Sequence, residues 1–188
     1  TDTPMRVQSI SKSVTSWAVM KIYQAGLIDI DAPIVNYLKT WEFPESRFLT
    51  EKITIRHLLT HTAGLQLGDV FTIYSPDDEV PTLRENLSKE AILVQNPNEG
   101  FIYSNVGFNL LELLIEEVTG IAFSEYMETE ILKPLGMDTS TFIWESLTKL
   151  PPKGYDLQGD EVIAYVYPEK GSGGLFSTAS DLARFAIA

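Results

Sequence analysis

The segment "NVGFNLLELLIEEVTG", residues 105–120, constrains the fold more than any other stretch of this chain. Val106, Leu110, Leu111, Leu113, Leu114, Ile115 and Val118 cover most of the girth of a helix, and Gly120 stops it. A helix that is apolar nearly all round has no face to give to water. The pattern therefore predicts a helix over residues 105–118 at the centre of the core, with the other elements packed around it.

The remaining periodicity supplies those elements. Val14, Trp17, Ala18, Ile22 and Ala25 recur at helical steps and predict a first helix ending near Gly26. "DIDAPIVNYL" reads as a turn with Asp31 capping a short helix that carries Pro33 in its first turn. "TIRHLLTH" predicts a short helix from Thr54 to about His61, closed by Gly64, and residues 66–86 read as a surface loop. "SKEAILVQ" and "FSEYMETEIL" predict two further helices, the second broken by Pro134. "KGYDLQGDEVIAYVYP" predicts a hairpin, and Thr178 or Ser180 caps a last helix in which the sequence ends. About seven helices and one hairpin form a single helical region over residues 1–188. Ending inside an apolar helix leads us to expect more protein beyond residue 188.

Charge and composition exclude several function classes. A net charge of −12 without basic clustering argues against nucleic acid and against an anionic membrane surface. With no cysteine, thiol catalysis and thiolate metal sites are ruled out. No apolar stretch is long enough to span a bilayer.

Two short patterns carry chemistry. Ser9-Ile10-Ser11-Lys12 opens the first helix, and residues three apart on a helix share a face, so Lys12 reaches the Ser9 hydroxyl. One reading is a serine cap with a solvated lysine, and Ser-x-x-Lys is expected about once by chance in a chain of this size. The other is a nucleophile whose backbone N–H helps bind an oxyanion, beside a partly desolvated lysine that takes its proton. Tyr103-Ser104-Asn105 stands at the start of the central helix. It reads either as a plain cap or as a proton-transfer phenol with an amide that orients Lys12 and the substrate. His57 and His61 lie four apart, but Leu58 occupies the place of the glutamate in a His-Glu-x-x-His metal motif, and structural histidines are the better reading. "KGSGG" has Lys170 where a nucleophile elbow needs glycine, which disfavours a Ser-His-Asp hydrolase.

Ser9-Ile10-Ser11-Lys12, "LLTHTAGL" (58–65), "YSNVGFNLL" (103–111), "ILKPLGM" (131–137) and "GGLFSTASDLARF" (173–185) follow one another in order. Together they resemble the serine β-lactamase-related family: class C β-lactamases, penicillin-binding DD-peptidases and their esterase relatives. The resemblance implies acyl-enzyme chemistry on Ser9, Lys12 as its proton partner, Tyr103 and Asn105 as the second motif, and no metal or organic cofactor. It implies a small-molecule or peptide acyl substrate: a β-lactam, a D-alanyl peptide or an ester. It also implies a location outside the cytoplasm of a bacterium. The "HTAGL", "PLGM" and "GGL" segments read as scaffold turns.

The implied fold is mainly α with a small hairpin: the helical part of the α/β β-lactamase fold, truncated at both ends, with most of its large antiparallel sheet missing. The family's third motif, Lys or His then Thr or Ser then Gly, is missing too. Lys39-Thr40 runs into Trp41, Lys170 into Gly171, and His61-Thr62 into Ala63. In the family the strand that bears this motif carries an oxyanion donor, whose loss costs about 2.7–4 kcal/mol of transition-state stabilisation, so this chain alone is expected to acylate slowly or not at all. The uncovered helices are expected to self-associate or to take a completing sheet segment. In class C β-lactamases an aromatic residue occupies the place of Gly173, and glycine here implies a wider site. The alternative function is a non-catalytic peptidoglycan- or peptide-binding module on the same scaffold.

Overall fold

The computed structural model describes residues 2–188. Its elements are β1 (Met5–Arg6), α1 (Ser11–Gln24), α2 (Ile55–Leu59), α3 (Leu83–Glu90), α4 (Asn105–Thr119), α5 (Phe123–Tyr126), the strands β2 (Gly154–Tyr155), β3 (Glu161–Val162) and β4 (Phe176–Ser177), and α6 (Ala179–Ile187). The chain is mostly helical with two small antiparallel sheets, as the sequence predicts for its class.

The central helix is where the apolar girth requires it. Every residue from Val106 to Ile115 is buried, α1, α2 and α3 all pack on α4, and Gly120 ends it in the left-handed conformation at φ 72°. On α1, Val14, Ala18 and Ile22 face inward, but Trp17 is exposed and touches α6 edge-on through Phe185, with ring centroids 5.7 Å apart. Ile10 and Met20 share this outward, apolar exposure.

Several local expectations need correction. Asp31 caps nothing: its carboxylate takes both Arg56 nitrogens, at 2.6 and 2.8 Å, and the turn at Ile34–Asn36 is a single 3-10 turn begun by Pro33. The helix expected at residues 88–95 lies earlier, over α3, because Thr82 and Glu85 form a reciprocal capping box. The following Leu93 and Val94 lie instead against residues 64–65, in an isolated antiparallel bridge where Val94 N–H donates to the Gly64 carbonyl at 2.8 Å. Beyond α5 the helix widens to a π-helical stretch, Met127–Leu132. The hairpin forms as expected between β2 and β3.

The sequence gives no warning of the β1–β4 pair. Met5 lies opposite Ser177 and Arg6 opposite Phe176, which brings the start of the chain beside residues 172–177. The Arg6 guanidinium sits 4.3 Å from the Tyr165 ring centroid and 4.5 Å from that of Phe176, fastening the pair by cation–π contact.

Asp181 anchors α6. It is 1% exposed, and its carboxylate accepts from the Thr139 amide (3.0 Å), the Thr139 and Ser140 hydroxyls (2.7 and 2.8 Å) and Arg184 (2.6 Å). Burial opposes its ionisation, but these donors outweigh it and hold the pKa below the usual 3.8. Asp181→Ala is expected to lower stability by about 2–3 kcal/mol at neutral pH, read as a lower urea midpoint with unchanged slope. Because the folded pKa is depressed, this stabilisation is present above 3.8 and disappears as pH falls through the folded value. A variant within about 0.5 kcal/mol of wild type contradicts this role.

Candidate active site

Ser9 lies in a 3-10 turn, Gln8–Ile10, that leads directly into α1. Gln8, immediately before it, has φ 48°, a left-handed conformation that a non-glycine residue rarely adopts without tertiary support. Support comes from both sides of the turn. Val7 N–H donates to the Leu175 carbonyl at 3.0 Å, the Gln8 amide donates to the Tyr165 hydroxyl at 2.9 Å, and the Ser11 hydroxyl accepts from Leu175 N–H at 3.0 Å. The turn leaves Ser9 exposed.

One helical turn on, Lys12 is buried, with 6% exposure. Its Nζ lies 3.2 Å from Ser9 Oγ, 2.7 Å from Asn105 Oδ1 and 2.7 Å from the Ser172 carbonyl oxygen. It also stands 5.1 Å from the Tyr103 ring centroid and 5.7 Å from that of Phe108. Burial pushes the Lys12 pKa down, and the hydrogen bond and charge of Tyr103 only partly restore it.

The second cluster comes from the start of α4. Ser104 is the helix cap: its hydroxyl accepts from Gly107 N–H at 3.1 Å and donates to the Gln66 carbonyl at 2.6 Å. Capping by Ser104 leaves the Asn105 side chain to meet Lys12. The Tyr103 phenol stands beside Ser9 and Lys12, close enough to interact with both. Burial alone would raise its phenol pKa, but the polar neighbours Ser9 and Lys12 and the Lys12 charge outweigh burial and bring it below 10. The four residues expected from sequence, Ser9, Lys12, Tyr103 and Asn105, thus form one constellation.

Three contributors are missing from the sequence reading. The Ser172 carbonyl is one, supplied by the "KGSGG" turn. Two of its glycines are required by close approach: a Cβ at Gly171 would lie 2.8 Å from the Phe108 carbonyl oxygen, and one at Gly174 only 2.7 Å from Lys170 Cα. That glycine density is the signal available in the sequence. The second is Phe108, against Lys12. The third is His61, whose ring lies 4.4 Å from that of Tyr103 and whose Nδ1 accepts from Ser104 N–H at 3.1 Å. His61 lies beyond α2 at φ 56°, while His57 closes a capping box with Thr54. The two histidines therefore serve separate backbone bonds. Among the described residues no group of three or more histidines and carboxylates is placed to hold a metal ion.

A cleft of about 280 Å³ opens over Ser9, lined also by Val70, Asn105, Tyr167, Ser172 and Gly173. A larger cavity of about 540 Å³, between Arg6, Arg84, Trp144 and Lys170, reaches none of the four. At Gly173 a Cβ would meet only the Gln8 side chain, at 3.5 Å, so glycine keeps this wall of the cleft open.

The Beta-lactamase family profile matches residues 1–188, and the chain belongs to that family. It is 28% identical over 214 residues to penicillin-binding protein 4* of Bacillus subtilis, covering 98% of this chain and 44% of that protein. The octameric penicillin-binding protein homologue from Pyrococcus abyssi superposes with a TM-score of 0.76 at 32% identity, over 98% of this chain and 44% of its own. A penicillin-binding protein from Bacillus halodurans gives 0.80 at 29% identity, over 100% and 59%. The chain spans about half the length of these relatives, consistent with a partial β-lactamase-type fold.

The His61 environment makes a testable pH dependence. Burial first, and the Lys12 charge second, push its pKa below 6.5, so the unfolded chain takes up a proton at higher pH than the folded one. This stabilisation is complete above 6.5 and is lost as pH falls through the lower folded value. The urea midpoint should fall over that window in wild type, and His61→Phe should lack that part of the slope. Identical pH slopes in the two proteins contradict the assignment.

Proposed function

We propose that the protein containing this chain is a serine acyl-transfer hydrolase of the β-lactamase and penicillin-binding type. The observation that carries this reading is the Lys12 nitrogen, buried 3.2 Å from the Ser9 hydroxyl and in contact with Tyr103 and Asn105. A neutral Lys12 has two N–H groups and one lone pair. The two 2.7 Å bonds, to Asn105 and to the Ser172 carbonyl, use both N–H groups and turn the lone pair toward Ser9.

In the proposed reaction Ser9 Oγ attacks the carbonyl carbon of a β-lactam, D-alanyl peptide or ester. Its proton passes to the Lys12–Tyr103 pair, which returns a proton to the leaving nitrogen or oxygen. Water then hydrolyses the acyl-Ser9 ester by the same groups in reverse. The start of α1 offers partial positive charge to the developing oxyanion. A second oxyanion donor and the sheet covering the apolar face of α1 would come from the remainder of a longer protein, in keeping with the length of the relatives. Residence outside the cytoplasm of a bacterium accords with the bacterial penicillin-binding proteins among those relatives. The missing third motif favours a second reading, a binding or regulatory module without turnover.

Intact-mass labelling with a penicillin and with an activated ester separates the two. The full-length protein is expected to gain the mass of the acyl group, and Ser9→Ala to gain none. Lys12→Met should slow labelling by about 10²–10⁴-fold. Gly173→Tyr should selectively slow the bulkier acyl donor by narrowing the cleft. Labelling that persists in Ser9→Ala overturns the assignment, and a full-length protein that never labels favours the module.

A further inference from the structure

Glu112 is a carboxylic acid in the middle of the most apolar helix of the protein, and the chemistry above does not use it. It is 2% exposed. It lies seven residues, two helical turns, beyond Asn105, so both project from nearly the same face of α4. One carboxyl oxygen, Oε2, accepts two consecutive backbone N–H groups, from Lys170 and Gly171, each at 2.6 Å. Burial pushes the carboxyl pKa up to about 8, while the two amides and the nearby Lys170 charge work against burial and Glu116 adds to it.

The segment Glu112 grips is the turn that reaches Lys12. Immediately after Gly171, the Ser172 carbonyl accepts from Lys12 Nζ at 2.7 Å. The Gly171 carbonyl accepts from the Thr15 hydroxyl on α1 at 2.9 Å, and Gly174 N–H closes the turn on the Lys170 carbonyl at 2.7 Å. Helix α4 therefore meets Lys12 twice. Asn105 touches it directly, and Glu112 binds the turn whose Ser172 carbonyl accepts from it on the other side.

We propose that Glu112 is a positioning residue for acyl transfer: by binding the Lys170 and Gly171 amides it fixes the Ser172 carbonyl that aims Lys12 at Ser9. This rests on the acyl-transfer reading of the site. The role is one of reach. An oxygen at the end of a four-bond side chain touches both amides, and an oxygen one methylene shorter falls short of them. With the turn released, the Ser172 carbonyl moves off Lys12 and water reaches the ammonium, so Lys12 loses its proton only at higher pH.

The test compares wild type, Glu112→Gln and Glu112→Asp in the full-length protein. Its readout is the rate of Ser9 modification by a fluorophosphonate as a function of pH. Glutamine keeps the reach and cannot ionise, whereas aspartate can ionise and loses the reach. Glu112→Gln is expected to react at close to the wild-type rate with the wild-type pH midpoint. Glu112→Asp is expected to react about 10- to 100-fold more slowly with its midpoint moved to higher pH. An aspartate variant with wild-type rate and midpoint overturns the proposal, as does slowing with an unmoved midpoint, which marks general damage. Slowing and displacement of the glutamine variant also overturn it, and that outcome stays readable if the aspartate variant does not fold. A wild type in which Ser9 does not react overturns the acyl-transfer reading and this proposal together; a reactive wild type with unaltered variants overturns this proposal alone.

Discussion

The structure of the site turns on one difficulty: a lysine must be dry enough to give up its proton, yet its nitrogen must stay hydrogen-bonded. A buried ammonium without partners is costly, and a lysine left in water keeps a proton at neutral pH and cannot accept one from serine. In the proposed reaction Lys12 meets both conditions by burying its stem in α1 while its nitrogen faces Ser9, Asn105 and the Ser172 carbonyl. These partners come from three places in the chain, residues 9–12, 105 and 172. Much of the fold around them serves to bring those places together.

Helix α4 does most of this work. Its apolar girth forms the core on which α1, α2 and α3 pack, so its first residue is fixed relative to all of them. Ser104 takes the capping duty, which frees Asn105 for Lys12, and His61 holds the Ser104 amide while its ring lies against Tyr103. The two-residue β1–β4 pair closes the circuit. It binds the start of the chain to the segment after Ser172 and lets Gln8 hold the left-handed turn before the serine. Tight local geometry at Gln8 and His61 is thus sustained by packing at some distance from either.

Much of this was legible in the residues. The girth of 105–118 dictated a central helix, and the three-residue spacing of Ser9 and Lys12 dictated a shared face. Tyr103-Ser104-Asn105 was readable as a helix start, though not which residue would cap it. The illegible parts have physical causes. The Ser172 contribution is a backbone oxygen, which every residue possesses and no side chain announces. Two-residue strands fall below any detectable periodicity, so the β1–β4 pair had no pattern to show. The early start of α3 depended on a capping box at Thr82 and Glu85 within a stretch otherwise rich in turn residues. Glu112 was visible as a charge among leucines, but its partners are amides nearly sixty residues away, and proximity of that kind belongs to the fold.

The claim on which this account rests is that Lys12 is held where its neutral form is accessible. The most direct measurement is the titration of the Lys12 side chain, followed by ¹³Cε NMR in the folded protein and assigned with Lys12→Met. The account predicts a midpoint below the ordinary lysine value of 10.5. A midpoint at or above that value would mean an ammonium throughout the working range, and would contradict the role of Lys12 as the partner that takes the Ser9 proton.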